Sequence, residues 1–500
     1  MTELHFPFLE VAILLPLIGA LLTGRMRDPY LARKYCVVFT ALTFLCATAA
    51  FLDFELLHAK KAEDKWHLMS YVVGHEVFVI DQLSAPLLPL TSLLFFLTTV
   101  TTLKTKIRRF SFSWTMFSEA TLLATFSCSS GESWLLIFLL AVGTVPPFLE
   151  LRARKKPTRV YAVHMALFVA LMFIGRFIVD QEGEIANQIH SYWAIAPLMA
   201  AVLIRCGMVP VHCWTTDLFE NATFGTALLY TTPSVGAYLA IRLLLPIAPD
   251  EVLRSLGMVS LITAVYAAGM ALIQRDARRF FCYVFLSHSA LILVGLEVAT
   301  TIGVTGALCV WLSVGLSLGG FGLTLRALEA RVGDLRLTEF RGLYEHTPSL
   351  AVCFFLTGLA SVGFPGTFGF IGTELLVDGA VEVYPYIGVA VVIAAALNGI
   401  AFVKTYFVLF TGKRYSSTVS LAIGLRERFA VLALAGLILL GGLAPQYNVH
   451  SRYLAAEELL NQRPDVLEAE VPTAHADDEH HPVNAAGTAA SDHRVPPGGG

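Results

Sequence analysis

Runs of about 20 apolar residues recur along this chain, from "FLEVAILLPLIGALLTG" near its start to "RFAVLALAGLILLGGLAP" ending at residue 445. That is the length a helix needs to cross a bilayer. Composition agrees: 56% of the residues are hydrophobic and only 15% are charged, against roughly a quarter charged in soluble domains. The expected class is an all-α integral membrane protein. A formal net charge of −3 argues against nucleic acid as a partner. The first apolar run has no basic segment before it and no convincing cleavage site, so it reads as a first span rather than a signal peptide.

Counting the runs predicts about fourteen transmembrane helices, centred near residues 15, 44, 93, 120, 141, 168, 202, 236, 264, 288, 316, 360, 398 and 435. Loop charge supports the count. Connections from odd to even spans are basic ("RMRDPYLARK", "KTKIRRF", "RARKKPTR", "QRDARR"), with "TTDLFENATFG" as the exception. Those from even to odd spans ("DQEGEIANQ", "APDE", "EVATTIG") are acidic or neutral, and "HAKKAEDKWH" is mixed. By the positive-inside rule the basic loops face the cytoplasm and both termini lie on the other side. The expected location is therefore the inner (plasma) membrane.

Two spans are interrupted, the seventh at "GMVPVHCW" and the twelfth at "GFPGTFGFIG". A unit of five helices reverses its orientation when repeated, so the breaks suggest two inverted five-helix repeats, each with one broken helix. The expected organisation is three N-terminal helices (1–110), a first repeat (111–246), a second repeat (252–413), a last span (424–445) and a polar, largely disordered tail (446–500). The histidines of that tail could bind metal weakly, but a solvated extension is the better reading.

Ionisable residues inside spans are costly and mark transport paths by default. Arg205 closes an apolar run just before the first break; permanently charged, it can fix a positive potential or hold a carboxylate but does not readily shuttle a proton. Glu119, mid-way along the fourth span, suits a group that loads and releases protons. His164, His212 and His288 can relay protons, though a histidine on an apolar face is as often a hydrogen-bonded core residue. Glu374 follows the second break, and Lys404 either joins a polar axis or snorkels to the basic side. Eight cysteines without a CxxC pair give no metal site, iron–sulfur site or disulfide framework. With no nucleotide loop or haem motif either, no cofactor is expected.

The block "RCGMVPVHCWTTDLFENA" resembles the antiporter-like membrane subunits of respiratory complex I and the Mrp antiporters. "FVIDQLSAP", "QRDARRFFCYVFLSHSALILVGL", "GLSLGGFGLTLRALEAR", "GLASVGFPGTFGFIGTELL" and "ALNGIAFVKTYFVLFTGKR" fit the same family, and "FPFLEVAILLPLIGALL" is most similar to its chain M type. The resemblance implies ion movement through half-channels joined by a row of charged residues, with redox chemistry in partner subunits. It also implies other membrane subunits, a proton or sodium ion, and the bilayer as partners. Its seventh-span lysine falls on Arg205, its fifth-span glutamate on Ala141, its eighth-span lysine near Ser234 and its eleventh-span histidine near Val314, while His288 is in place. Either Glu119 has become the partner of Arg205, or the first half-channel is closed. Four roles stay open: a subunit of a complex I-like oxidoreductase, the membrane part of an inorganic-carbon-accumulating complex, an Mrp-type antiporter, and a non-transporting assembly module.

Overall fold

A computed structural model describes residues 2–66, 77–103, 107–108, 110–183, 189–412 and 424–463. The chain is mostly helical. Among the described residues nine helical segments are long and apolar enough to cross a membrane, and one bent pair passes the same test as a unit. The helices are α1 (Phe8–Arg25), α2 (Pro29–Leu57), α3 (Leu87–Val100), α4 (Phe112–Ser127), α5 (Ser133–Gly143), α6 (Val145–Ala153), α7 (Arg159–Glu182) and α8 (Tyr192–Cys206). They continue with α9 (Cys213–Asn221), α10 (Phe224–Thr231), α11 (Val235–Leu239), α12 (Asp250–Ile273), α13 (Ala277–Val298), α14 (Thr301–Val332), α15 (Pro348–Ser361), α16 (Phe368–Val381), α17 (Pro385–Phe410), α18 (Leu425–Leu443) and α19 (Gln446–Asn461).

Local chemistry sets several boundaries. Asp28 accepts from the Tyr30 amide at the start of α2, with Pro29 in the first turn. Asp276 accepts from the amides of Arg278 and Arg279 to start α13. Both expected breaks are present. Gly207 ends α8 with φ +68°, and Gly363 and Gly366, at +79° and +87°, lie between α15 and α16. A third break was not expected: Pro233 and left-handed Ser234 (φ +50°) divide α10 from α11, which runs on into a π-helical turn, Ala240–Leu244.

The core lies around α10–α11, α13 and α14. The membrane-length windows of the α10–α11 segment and of α13 are wholly buried, whereas only 28% of each of those of α2 and α7 is buried, as a lipid-facing rim would be. Helices α14 and α16 approach closely through glycine, since a Cβ on Gly306 would stand 2.3 Å from the Leu376 amide nitrogen.

Two ends of the bundle are distinguishable. At one, three short strands form a sheet in the order β1 (Thr2–Glu3), β2 (Lys61–Glu63), β3 (Val79–Asp81). There the Ser129 amide also donates to Val77 and the His190 amide to Ile247. At the other end arginines from the basic loops cap carbonyls: Arg33 on Val100, Arg154 on Asn221, Arg278 on Phe219 and Ala222, and Arg326 on Thr98. Of the loops compared for charge, residues 67–76, 104–106, 109, 184–188 and 413–423 lie outside the described residues.

The expected tail needs correction. Residues 446–461 are helical, bent 78° from α18. Arg452, Ala455, Ala456 and Leu459 form its buried stripe, at the i, i+3, i+4, i+7 spacing of a helix lying on a protein surface. Hydropathy falls there because only one face packs on the bundle. Residues 464–500, with the tail histidines, lie outside the described residues.

Candidate functional site

Arg205 sits in the last turn of α8 and is 6% exposed. Its guanidinium carbon lies 4.2 Å from the centroid of the Tyr230 ring and 5.8 Å from that of Trp214, and Nη2 donates to the Tyr230 carbonyl at 3.3 Å. The cage is held in place from outside. Trp214 Nε1 donates to the Ile204 carbonyl at 2.7 Å, and the Tyr161 hydroxyl donates to the Thr144 carbonyl at 2.8 Å. Tyr161, Trp214 and Tyr230 meet edge to face in all three pairings. Aromatic faces supply the negative potential that a carboxylate would otherwise give a buried cation. Among the described residues Arg205 makes no ion pair.

A small cavity, mostly apolar but with several polar groups in its wall, opens on each side of this cage. One, of about 40 Å³, is bordered by Thr115, Ser118, Thr121, Glu150, Arg205 and Thr226. The other, of about 20 Å³, is bordered by Arg205, Thr215, Thr231, Ser234 and Ser289. Each volume suffices for at least one water. The hydroxyl of Thr215, in the wall of the second cavity, is buried without a protein partner among the described residues, as expected where water completes the hydrogen bonding.

Glu150, on α6, was missed from the sequence. It is 6% exposed and accepts from the Thr223 amide at 2.7 Å and from the Thr226 hydroxyl, capping the start of α10. The family spacing draws attention to Ala141, whereas the carboxylate that shares a cavity with Arg205 comes after the two prolines, in "VPPFLELR".

Glu119 does not partner Arg205. It is fully buried on the face of α4 that carries Phe112 and Met116, beside Cys36 of α2, and neither carboxyl oxygen has a hydrogen-bond partner. The face bordering the cavity is instead that of Thr115, Ser118 and Thr121.

The histidines are dispersed. His164 is partly exposed on α7 and bonds the Val160 carbonyl. His212 stands at the start of α9 between the rings of Tyr266 and Tyr283. His288 is buried on α13, with Nδ1 2.8 Å from the Val284 carbonyl and its ring reaching the backbone of Ser361 at the second break. Glu374 and Lys404 are exposed, and Lys404 donates to the Leu272 carbonyl near the end of α12. Neither joins the central cavities. Among the described residues no three His, Cys, Asp or Glu side chains gather into a group able to hold a metal ion.

Residues 160–398, which carry the Arg205 cage, both cavities' α10–α11 wall and the second break, match the family described as NADH:quinone oxidoreductase/Mrp antiporter, transmembrane. Over that segment, just under half of its length, the chain is similar to the antiporter-like membrane proteins of that family. It is 26% identical to the NADH-quinone oxidoreductase subunit M of Rickettsia bellii, over 91% of this chain and 99% of that one. Its fold is that of a chain in respiratory complex I from Thermus thermophilus, with a TM-score of 0.77, 22% identity and coverage of 91% and 100%. It is also that of a chain in the Mrp complex from Dietzia, with a TM-score of 0.80, 18% identity and coverage of 91% and 97%.

This antiporter-like chain carries one more buried charge pair that sequence reading passed over. Asp81, inside the quoted block "FVIDQLSAP", lies 2.6 Å from Arg242 of the π turn, and the two side chains are 8% and 5% exposed. Burial alone would raise the Asp81 carboxyl, but the adjoining guanidinium and hydrogen bonds from the Ser84 amide and hydroxyl hold it below the ordinary carboxylate range. The Arg242 guanidinium also stands 5.1 Å from the Tyr238 ring, whose hydroxyl donates to the Phe126 carbonyl. The pair thus ties the π turn to the sheet. Periodicity cannot reveal such a pair, because its members are far apart in sequence and each looks like a residue near a span end.

Proposed function

We propose that this chain is an ion-translocating membrane subunit of a complex I-like quinone oxidoreductase, moving protons or another cation while partner subunits carry out the redox chemistry. The observation that carries this reading is the caged Arg205, set in a broken helix and bordering two water-sized cavities, one of which Glu150 also borders. A fixed cation there repels a passing cation, and Glu150, which borders the same cavity but is bridged at 3.7 Å to Arg154 rather than to Arg205, sets how far that barrier is offset.

We propose about fourteen crossings, with inverted repeats at 111–246 and 252–413, the basic end in the cytoplasm and both termini on the other side. The two glycine-flanked breaks, five spans apart, support the repeat, and the clustering of loop arginines at one end supports the orientation. His288, beside the second break, extends the proposed path from the Arg205 site. Glu119, His164, His212, Glu374 and Lys404 are secondary candidates.

The test begins with the tagged chain purified from its native membrane in mild detergent, with co-purifying proteins identified. Flavin and iron–sulfur subunits are expected; small Mrp-like membrane chains or a soluble zinc protein in their place would move the reading to antiport or carbon uptake. In vesicles holding the intact complex, Glu150→Gln and Arg205→Met should each lower ion pumping about tenfold or more, with quinone reduction kept in uncoupled vesicles. Unchanged pumping in both variants would make the chain an assembly module.

A further inference from the structure

At the sheet end of the bundle lies a charged side chain used by nothing above. Arg452 of α19 is 1% exposed, yet among the described residues it forms no ion pair. Its guanidinium donates to the main-chain carbonyls of Leu83 and Gln82 and to the Ser451 hydroxyl, and its Nε has no partner. A buried guanidinium that no carboxylate pairs with directly is costly in a folded protein, and Asp81 and Glu55 act on this one only at longer range. This one stands in the wall of an open crevice of about 930 Å³, at the upper end of the range of small-ligand sites.

The crevice is amphipathic along its length. Its apolar wall is built by Phe51, Leu52 and Phe54 of α2, by Leu312 of α14 and by Leu454 of α19. One turn beyond Phe51, towards the sheet end, Glu55 also borders it, with Oε1 buried and without a hydrogen-bond partner. Leu52 and Leu56 are 55% and 76% exposed on the flank of α2, so the apolar wall continues onto the outer face of the bundle. Helix α19, turned 78° from α18, roofs the crevice in the manner of a helix lying in a membrane interface.

We propose that this crevice binds a membrane phospholipid whose head carries a phosphate and a primary ammonium, a phosphoethanolamine. The phosphate meets Arg452, the ammonium donates to Glu55, and the acyl chains run along Phe51, Leu52 and Leu312. These two charges, neither of them in an ion pair among the described residues, select this head. A purely anionic lipid satisfies Arg452 but brings negative charge against Glu55. A choline head carries its positive charge without an N–H to donate to the Glu55 oxygen. The inference needs only that the chain lies in a bilayer; it is independent of ion translocation.

The full chain, purified and delipidated in mild detergent, is titrated with diacyl phosphatidylethanolamine, phosphatidylcholine and phosphatidylglycerol, and adducts are read by native mass spectrometry. Phosphatidylethanolamine should bind at about tenfold lower concentration than the other two, the scale of one charge-assisted hydrogen bond. Glu55→Gln should abolish its preference over phosphatidylcholine. Leu52→Trp, which fills the apolar wall and leaves Arg452 buried, should weaken all three lipids together. Equal or tighter binding of phosphatidylglycerol, retained preference in Glu55→Gln, or equally tight binding of soluble glycerophosphoethanolamine would each overturn the proposal. So would cross-linking of Leu52→Cys to a neighbouring subunit in the intact complex, because the crevice would then be a protein contact.

Discussion

Replacing Asp81 with Asn removes one half of a buried ion pair while keeping its shape. At the 2.6 Å separation of Asp81 and Arg242, Coulomb's law with an effective dielectric near 20 gives an attraction of about 6 kcal/mol. Desolvation of two groups that are each under 10% exposed offsets much of that attraction, so the pair's net worth is small. Breaking it is another matter. Asp81→Asn leaves Arg242 buried, with a Tyr238 ring face and no carboxylate, and should cost about 3–5 kcal/mol. Arg242→Met strands Asp81 and should cost a similar amount, whereas the double variant Asp81→Leu/Arg242→Met should lie within about 1 kcal/mol of the parent. The assay is the SDS-induced unfolding midpoint of the detergent-purified chain, followed by circular dichroism. Because the folded Asp81 carboxyl is held below its unfolded value, its contribution is fully present above the ordinary carboxylate range. It is lost as pH falls through the folded value. The difference between parent and Asp81→Asn should therefore be constant from about pH 6 to 8 and shrink only below about pH 4. A single-variant cost under about 1 kcal/mol, or costs that simply add in the double variant, would refute the reasoning.

Three further outcomes are checked by the same unfolding assay. Gly379→Ala places a Cβ 2.3 Å from the Gly303 amide nitrogen, where only backbone can yield, and should cost about 1–3 kcal/mol; Gly436→Ala, which meets nothing within 4 Å, should be neutral or stabilising. Glu150→Ala deprives the Thr223 amide of its acceptor at the start of α10 and should cost about 1–3 kcal/mol. Glu119→Gln and Arg205→Met should add within about 0.5 kcal/mol, since the two side chains share no contact; a coupling above about 1 kcal/mol would restore Glu119 as the partner of Arg205.

What could be read in advance was what repeats locally. Apolar run length marked the helices, and glycine and proline marked the breaks at Gly207 and at Gly363–Gly366. The break at Ser234 was hidden because "YTTPSVGAY" also reads as the middle of a continuous span, and a single proline there does not say which side of it bends. Helix α19 was legible in principle from the 452, 455, 456, 459 stripe, but a hydropathy scale tuned to bilayer crossing ignores a helix with one buried face. Charge pairing was the least legible. Glu119 stood at the expected depth and Glu150 did not, yet the side chain's direction around the helix, set by packing of α4 on α1 and α2, decides which carboxylate meets the cavity.

An arginine where the resemblance places a titratable lysine acquires a physical meaning from that packing. A lysine amine would need a nearby carboxylate to stay charged when desolvated. The Arg205 guanidinium rests against two aromatic faces and donates to the Tyr230 carbonyl, and so Ala141 can stand where the resemblance places a glutamate without leaving the cation unsupported. Position is fixed as tightly as charge. A Cβ on Gly236 would stand 2.4 Å from Cys206 Sγ and 3.2 Å from the Arg205 carbonyl carbon, so α11 is pressed directly onto the end of α8. The breaks in α8–α9 and α10–α11 therefore meet at one point, and the cation is clamped between them. A switch built this way cannot work by discharging the arginine. On the function proposed above, what changes during transport is the protonation or hydration of what surrounds it, and the described groups there are the Glu150 carboxylate and the threonine hydroxyls that border the cavities.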